Sequence, residues 1–192
     1  MFYRRIDEHL CLKLVSTLDA EAVYAMIERN RDDLARWFVW VPDMTLDGER
    51  TYLAQVSGQW AQLSELCTII ELDGEPVGTI GLHRIDRTVK TCEIGYWLDA
   101  AHRGHGIITK ATREIERLCF EDLGMNRIGI HADVRNERSR AVPERLGYRF
   151  EGVLRAKLAG ADGAPQDEAV YSLLREEWLA RDGGGTTAET TE

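Results

Sequence analysis

Long apolar runs are missing from this sequence. The longest are a handful of residues, such as Trp37–Val41, far short of the roughly 20 that a membrane-crossing helix needs. Cysteine is sparse and scattered. Cys11, Cys67, Cys92 and Cys119 contain no C-x-x-C pair, which argues against a disulfide scaffold or zinc cluster and for reduced thiols in a cytoplasmic protein. Basic charge is in deficit, with 24 Lys and Arg against 33 Asp and Glu and a net charge of −9. A basic face for a nucleic-acid duplex is therefore not expected. The opening residues Met-Phe-Tyr-Arg-Arg-Ile-Asp-Glu have no apolar stretch behind their arginines, so no secretory signal is expected. What remains is 192 residues, 44% apolar, enough for one core and cramped for two. We expect a single domain over 1–182. The run Gly183-Gly184-Gly185-Thr-Thr-Ala-Glu-Thr-Thr-Glu, with little to bury, is expected to be a flexible tail over 183–192.

Periodicity assigns the elements. Cys11–Val15 reads as a first strand. Asp19 caps a helix with Ala22, Val23, Met26 and Ile27 on one stripe, and a second helix carries Tyr52, Leu53, Val56, Trp60 and Leu63. Cys67–Leu72 and Val77–His83 flank the turn dipeptide Asp73-Gly74, and Thr91–Leu98 continues the meander. A long helix over about 108–123 ends at Gly124. A strand at Ile128–Val134, a helix at Ser139–Leu146 and strands at Tyr148–Val153 and Glu168–Leu174 follow. This mixed order implies an α+β fold.

The informative stretch is strand, loop, helix: Ile94-Gly-Tyr-Trp-Leu98, then Arg103-Gly104-His105-Gly106-Ile107-Ile108 at the mouth of the long helix. Glycines let the backbone close around a ligand. The first amides of a helix have no internal partners, and its dipole favours an anion. His102, Arg103, His105, Lys110, Arg113 and Arg117 gather here in an otherwise acidic chain. The pattern completes neither a Walker A loop nor G-x-G-x-x-G. His102 and His105 lack an obvious third ligand, so no metal is expected.

These residues, with Asn136-Glu-Arg-Ser139-Arg-Ala-Val-Pro-Glu-Arg-Leu-Gly147-Tyr148, resemble the two signatures of the GNAT N-acetyltransferases, spaced as in the RimL-like branch that acetylates ribosomal-protein amino termini. The resemblance runs from about residue 8 to Trp178. It implies a mostly antiparallel sheet of six to seven strands, flanked by about four helices and splayed at its central strands. It implies acetyl-CoA as donor, its pyrophosphate on the amides of Arg103, Gly104, His105, Gly106, Ile107 and Ile108. Its pantetheine would lie between Trp97–Leu98 and the strand at Ile128–Val134, with Asn136 on the arm and Ser139 near the sulfur. Many relatives carry a tyrosine, as proton donor to the departing thiolate, where this chain has Pro143. Ser139 is the remaining hydroxyl, alternatively only a helix cap, and Pro143 should leave its helix short or bent.

The acceptor amine must lose a proton before it attacks. Glu93, sharing a face with Gly95 and Trp97, is the preferred base; alternatively it pairs with a nearby Arg or Lys. His83 is a second candidate. Trp37 and Trp40 sit where the family's acceptor groove lies, one read as core and the other as groove. The acceptor expected is a protein amino terminus. A small amine (polyamine or antibiotic) and a non-catalytic acyl-CoA-binding module are the alternatives. Homodimerisation is expected from relatives alone.

Overall fold

Apolar alternation produces one eight-stranded sheet in the computed structural model, which describes residues 3–160 and 163–182. The expected tail at 183–192 lies outside the described residues. The strands are β1 (Tyr3–Arg5), β2 (Leu10–Leu14), β3 (Leu66–Leu72), β4 (Glu75–Asp86), β5 (Thr91–Leu98), β6 (Arg127–Asp133), β7 (Arg149–Ala159) and β8 (Pro165–Leu174). They lie in the order β1-β2-β3-β4-β5-β6-β8-β7. Every neighbouring pair is antiparallel except β5 and β6. The α+β class matches expectation, while the strand count exceeds it. Its extra member is β1, three residues of which none is buried, too short for a periodic signal.

Six α-helices are found among the described residues: α1 (Ala20–Arg29), α2 (Arg31–Leu34), α3 (Leu46–Ala61), α4 (Ile107–Arg117), α5 (Glu137–Arg145) and α6 (Arg175–Asp182). The sequence reading missed α2 and α6. It placed α4 correctly, although the final turn, Leu118–Asp122, is a π-helix. Ala22 of the anticipated α1 stripe is exposed, and Ala20 takes the buried place. Asp19 precedes α1 as expected. Its carboxylate accepts from the Ser16 amide and Lys13, not from the first turn of α1.

Helices cover both faces. On one, Ile107, Ala111 and Ile115 of α4 pack with Leu12, Ile70, Ile80, Leu82, Ile94 and Ile130. On the other, Val23, Met26 and Ile27 of α1 and Leu53 and Val56 of α3 pack on Cys67 and Ile69. Each such buried aliphatic contributes about 1.5–3 kcal/mol relative to exposure. Since α1 and α3 cover β3 and β4, the second face stays open over β5 to β8.

One buried acid sits inside this second layer. Glu49 on α3 is 3% exposed, and burial raises its carboxyl to about 7. A folded-state value above the unfolded one means that the folded chain holds the extra proton, so stability falls as pH climbs from about 4.5 through 7. Glu49→Gln should remove this slope and stabilise the fold at pH 8 by on the order of 1–2 kcal/mol. Urea unfolding at pH 5 and pH 8 measures it; equal slopes in both proteins would contradict the reading.

Candidate active site

The centre of the site is a fork. Strands β5 and β6 pair in parallel from Thr91↔Arg127 to Ile94↔Ile130 and then part. Beyond that point Gly95–Leu98 bonds only to β4, and His131–Asp133 only to β8. The expected splay is thus present, with Trp97 and Leu98 on its β5 arm. Leu98 is buried on the α4 side. Trp97 is half-buried and packs toward α1 and α3.

From Leu98 the chain runs through Asp99, a short 3-10 turn at Ala100–His102, and the glycine loop into α4. Gly104 and Gly106 have φ of 84° and 72°, the left-handed region that other residues enter at a cost. A Cβ on either would meet nothing within 4 Å, so the loop faces open space. The Lys110 amide donates to the Gly106 carbonyl at 3.0 Å. Among the described residues, the amides of Gly104 to Thr109 find no acceptor. The donor set is shifted by one residue from expectation: the Arg103 amide is already given to the Ala100 carbonyl at 3.4 Å, while the Thr109 amide has no acceptor among the described residues. The basic cluster is also partly neutralised. Arg103 pairs with Asp33 on α2, whose carboxyl it holds below the usual range. Lys110 pairs with Asp7 and Arg117 with Glu114. His105 and Lys110 line a cleft of about 330 Å³ with Asp7, His9 and Asp73.

The second signature folds as α5 beside the fork. Asn136 is the residue that caps it, its Oδ1 accepting from the Ser139 amide at 3.2 Å. The cap reading of Ser139 is therefore corrected: Ser139 lies in the first turn, and capping falls to Asn136 because its carboxamide oxygen reaches the free amide three residues on. Pro143 sits inside α5, which at nine residues is short, as anticipated. Pro143 has no amide to give the Ser139 carbonyl four residues back. Tyr96 of β5 supplies the donor instead, its hydroxyl reaching that carbonyl at 2.9 Å. Burial raises the Tyr96 phenol, which keeps it a neutral donor. Tyr96→Phe should leave a half-buried carbonyl without this donor and cost about 0.5–1.5 kcal/mol. Thermal unfolding checks this, and an unchanged midpoint would contradict it.

The open face holds the charged groups. Glu93 on β5 accepts from Arg84 Nη1 through both oxygens at 2.9 Å, the arginine pairing that was the alternative reading. Arg84 has φ of 51° and stands where β4 and β5 slip register between His83 and Asp86; this bulge re-aims its side chain. His83 packs over Gly95, where a Cβ would meet its ring at 2.9 Å, and its Nδ1 is 3.7 Å from Glu65. Glu93 lines a cavity of about 560 Å³ with Arg84, Arg127, Gly129, His131 and Glu151. Arg127, helped by the Ser172 hydroxyl, lowers Glu151 to about 2. Neither tryptophan of the aromatic loop belongs to this cavity. Trp37 is half-buried; Trp40 is exposed and leans on Phe38, ring centroids 5.6 Å apart.

Sequence reasoning missed Tyr96, Arg84 and His131. Alternation does place His131 on the face of Gly129, but only the parallel register Glu93↔Gly129 brings that face to Glu93. No group of three or more His, Cys, Asp or Glu able to hold a metal occurs among the described residues. No described helix is long and apolar enough to cross a membrane.

Comparison with known proteins matches this architecture. Residues 9–149 fit the family model described as "Acetyltransferase (GNAT) domain". The chain is 37% identical over 180 residues to the "Putative ribosomal N-acetyltransferase YdaF" of Bacillus subtilis, covering 93% of this chain and 98% of that one. It is 29% identical over 153 residues to the "Ribosomal-protein-serine acetyltransferase" of Escherichia coli, covering 79% and 85%. Among solved structures, the Microcin C7 self immunity acetyltransferase MccE in complex with acetyl-CoA and AMP superposes with a TM-score of 0.83 at 26% identity, covering 88% of this chain and 94% of that one. The chain belongs to the GNAT family of N-acetyltransferases.

Proposed function

We propose that this chain, a single domain over 1–182, transfers acetyl from acetyl-CoA to the amino-terminal amine of a protein, with ribosomal proteins as the acceptor class. The observation that carries the reading is the conjunction of a strand fork with an unpaired amide cradle at the mouth of α4. The residues fit the donor: six consecutive amides without acceptors, two glycines open to solvent, and a helix dipole suit a diphosphate. The names of the B. subtilis and E. coli relatives support the ribosomal acceptor, and the MccE complex supports acetyl-CoA.

When bound, acetyl-CoA supplies a thioester whose acetyl group an amine attacks directly. The chain's own residues bind and orient. Amides from Gly104 to Ile108, with Thr109 added, hold the diphosphate. Trp97 and Leu98 on one arm of the fork, and β6 on the other, flank the pantetheine. At the start of α5, Asn136 is assigned to the pantetheine arm and Ser139 to the neighbourhood of its sulfur. Tyr96 and the Asn136 cap hold the Ser139 main chain, and so the start of that helix, against β5. The open face presents Glu93 to the incoming amine, its charge shared with Arg84. No cysteine is needed as nucleophile, and all four are buried.

The test is turnover of acetyl-CoA with peptides bearing free or blocked amino termini, alongside a polyamine panel, followed as free thiol. We expect thiol release with free amino termini and none with blocked ones. Turnover only with the polyamines would move the acceptor to a small amine. Acetyl-CoA binding without thiol release from any amine would reduce the chain to a binding module.

A further inference from the structure

Within the open face, His131 is placed unlike any other titratable side chain. It is the first residue of β6 beyond the last β5–β6 pair, Ile94↔Ile130, and so stands at the crotch of the fork. Its side chain is 18% exposed. Nδ1 lies 3.3 Å from Glu168 Oε2 on β8 and 3.8 Å from Glu93 Oε2 on β5. Both Nδ1 and Glu168 Oε2 are buried without a hydrogen-bond partner among the described residues, and Glu168 is 5% exposed. A buried carboxylate beside a buried ring nitrogen is costly unless it serves that ring. The Nε2–Cδ2 edge lies across Gly129, where a Cβ would come within 3.2 Å of Nε2, and the ring lines the 560 Å³ cavity.

We infer that His131 is the group that takes the proton from the acceptor ammonium, with Glu168 as its positioning carboxylate; this rests on the acetyltransferase reading above. Two carboxylates at Nδ1 favour the tautomer with the proton there, leaving the Nε2 lone pair for the substrate. Glu93 is less suited, because Arg84 already claims both of its oxygens. The proton balance is complete. One ammonium proton passes to Nε2, the neutral amine forms the new C–N bond as the C–S bond breaks, the second N–H proton ends on the departing sulfur, and His131 returns its proton to solvent. The charged groups facing the ring are Glu93 with Arg84, and Glu168; Asp86, Arg127 and Glu151 line the same cavity.

Three variants and one spectrum test this. His131→Gln should lower kcat by about 100-fold and leave the KM for acetyl-CoA within twofold. Gly129→Ala, which keeps the imidazole but displaces it, should lower kcat several-fold with the same KM. Glu168→Gln should lower kcat several-fold at an unchanged KM for acetyl-CoA and weaken the Nδ1–H tautomer in the 15N spectrum, because the carboxylate 3.3 Å from Nδ1 is gone. In the unliganded wild type, 15N correlation of the neutral ring should show a protonated Nδ1 and a bare Nε2. If the wild type releases no thiol with any amine, the acetyltransferase reading falls and this one with it. If the wild type turns over but His131→Gln stays within threefold of it, or if the opposite tautomer is found, only the assignment of His131 falls.

Discussion

Gly106→Asp is expected to weaken acetyl-CoA binding by more than 100-fold, a loss of about 3 kcal/mol, while the protein stays folded. Gly106 has φ of 72° and ψ of 8° at the mouth of α4. Asp tolerates that left-handed conformation better than most residues, and its Cβ would meet nothing within 4 Å. The fold therefore survives, and what changes is charge. A carboxylate is placed where six amides and a helix dipole await a diphosphate, so like-charge repulsion replaces attraction. Gly106→Asn separates charge from shape, being nearly isosteric, equally tolerant of positive φ and neutral. It should retain affinity within about tenfold, or roughly 1.4 kcal/mol. Calorimetric titration of both variants with acetyl-CoA decides it. Equal affinities for the Asp and Asn forms would remove the diphosphate from this loop.

The second large effect concerns stability. Glu116 on α4 is 0% exposed and pairs with Arg181 on α6, which also donates to the Leu146 carbonyl at 2.6 Å. This contact pins the last helix across the face that carries α4. Removing one partner of a buried pair strands the other charge, which costs about 3–5 kcal/mol. Arg181→Ala should therefore lower the melting temperature by about 6–20 °C, since 1 kcal/mol corresponds to about 2–4 °C in a domain of this size. Replacing both partners by apolar residues, Glu116→Leu with Arg181→Met, should recover most of that loss, because no charge is then left buried. A double variant as unstable as Arg181→Ala would show that the pair itself, rather than the orphaned carboxylate, is what matters.

Much of this architecture is legible in the sequence, for identifiable reasons. Strands β3 to β6 and helix α4 carry strong periodicities, and their observed limits differ from the expected ones by three residues or fewer at each strand end. The glycine loop is readable because few side chains other than hydrogen permit two left-handed residues so close together at a helix mouth. The edges are less readable. Strand β1 buries nothing, α2 has four residues, and α6 is short and highly charged, so none offers a pattern.

In the candidate site, the glycine loop assigned to the donor is local in sequence, whereas the charged cluster on the open face is not. Arg84, Glu93, His131 and Glu168 come from four strands, and their meeting depends on register: the parallel β5–β6 pairing, the β4 bulge and the β6–β8 pairing. Without register, His83 and His131 are two equal histidines. The cap at Asn136 illustrates the same limit at short range. Both Asn136 and Ser139 are good caps by type, and only the backbone decides which side chain reaches a free amide. Pro143 shows a compensation that sequence spacing could not reveal. The hydrogen bond it removes from the Ser139 carbonyl is replaced from a different element, by Tyr96.

The most direct probe of the central claim is to follow the main-chain amide resonances while acetyl-CoA is added. The account predicts that the largest downfield movements fall on the consecutive residues Gly104 to Thr109, with smaller ones along both arms of the fork. Saturable binding that leaves those six signals in place, and moves a cluster elsewhere, would contradict it.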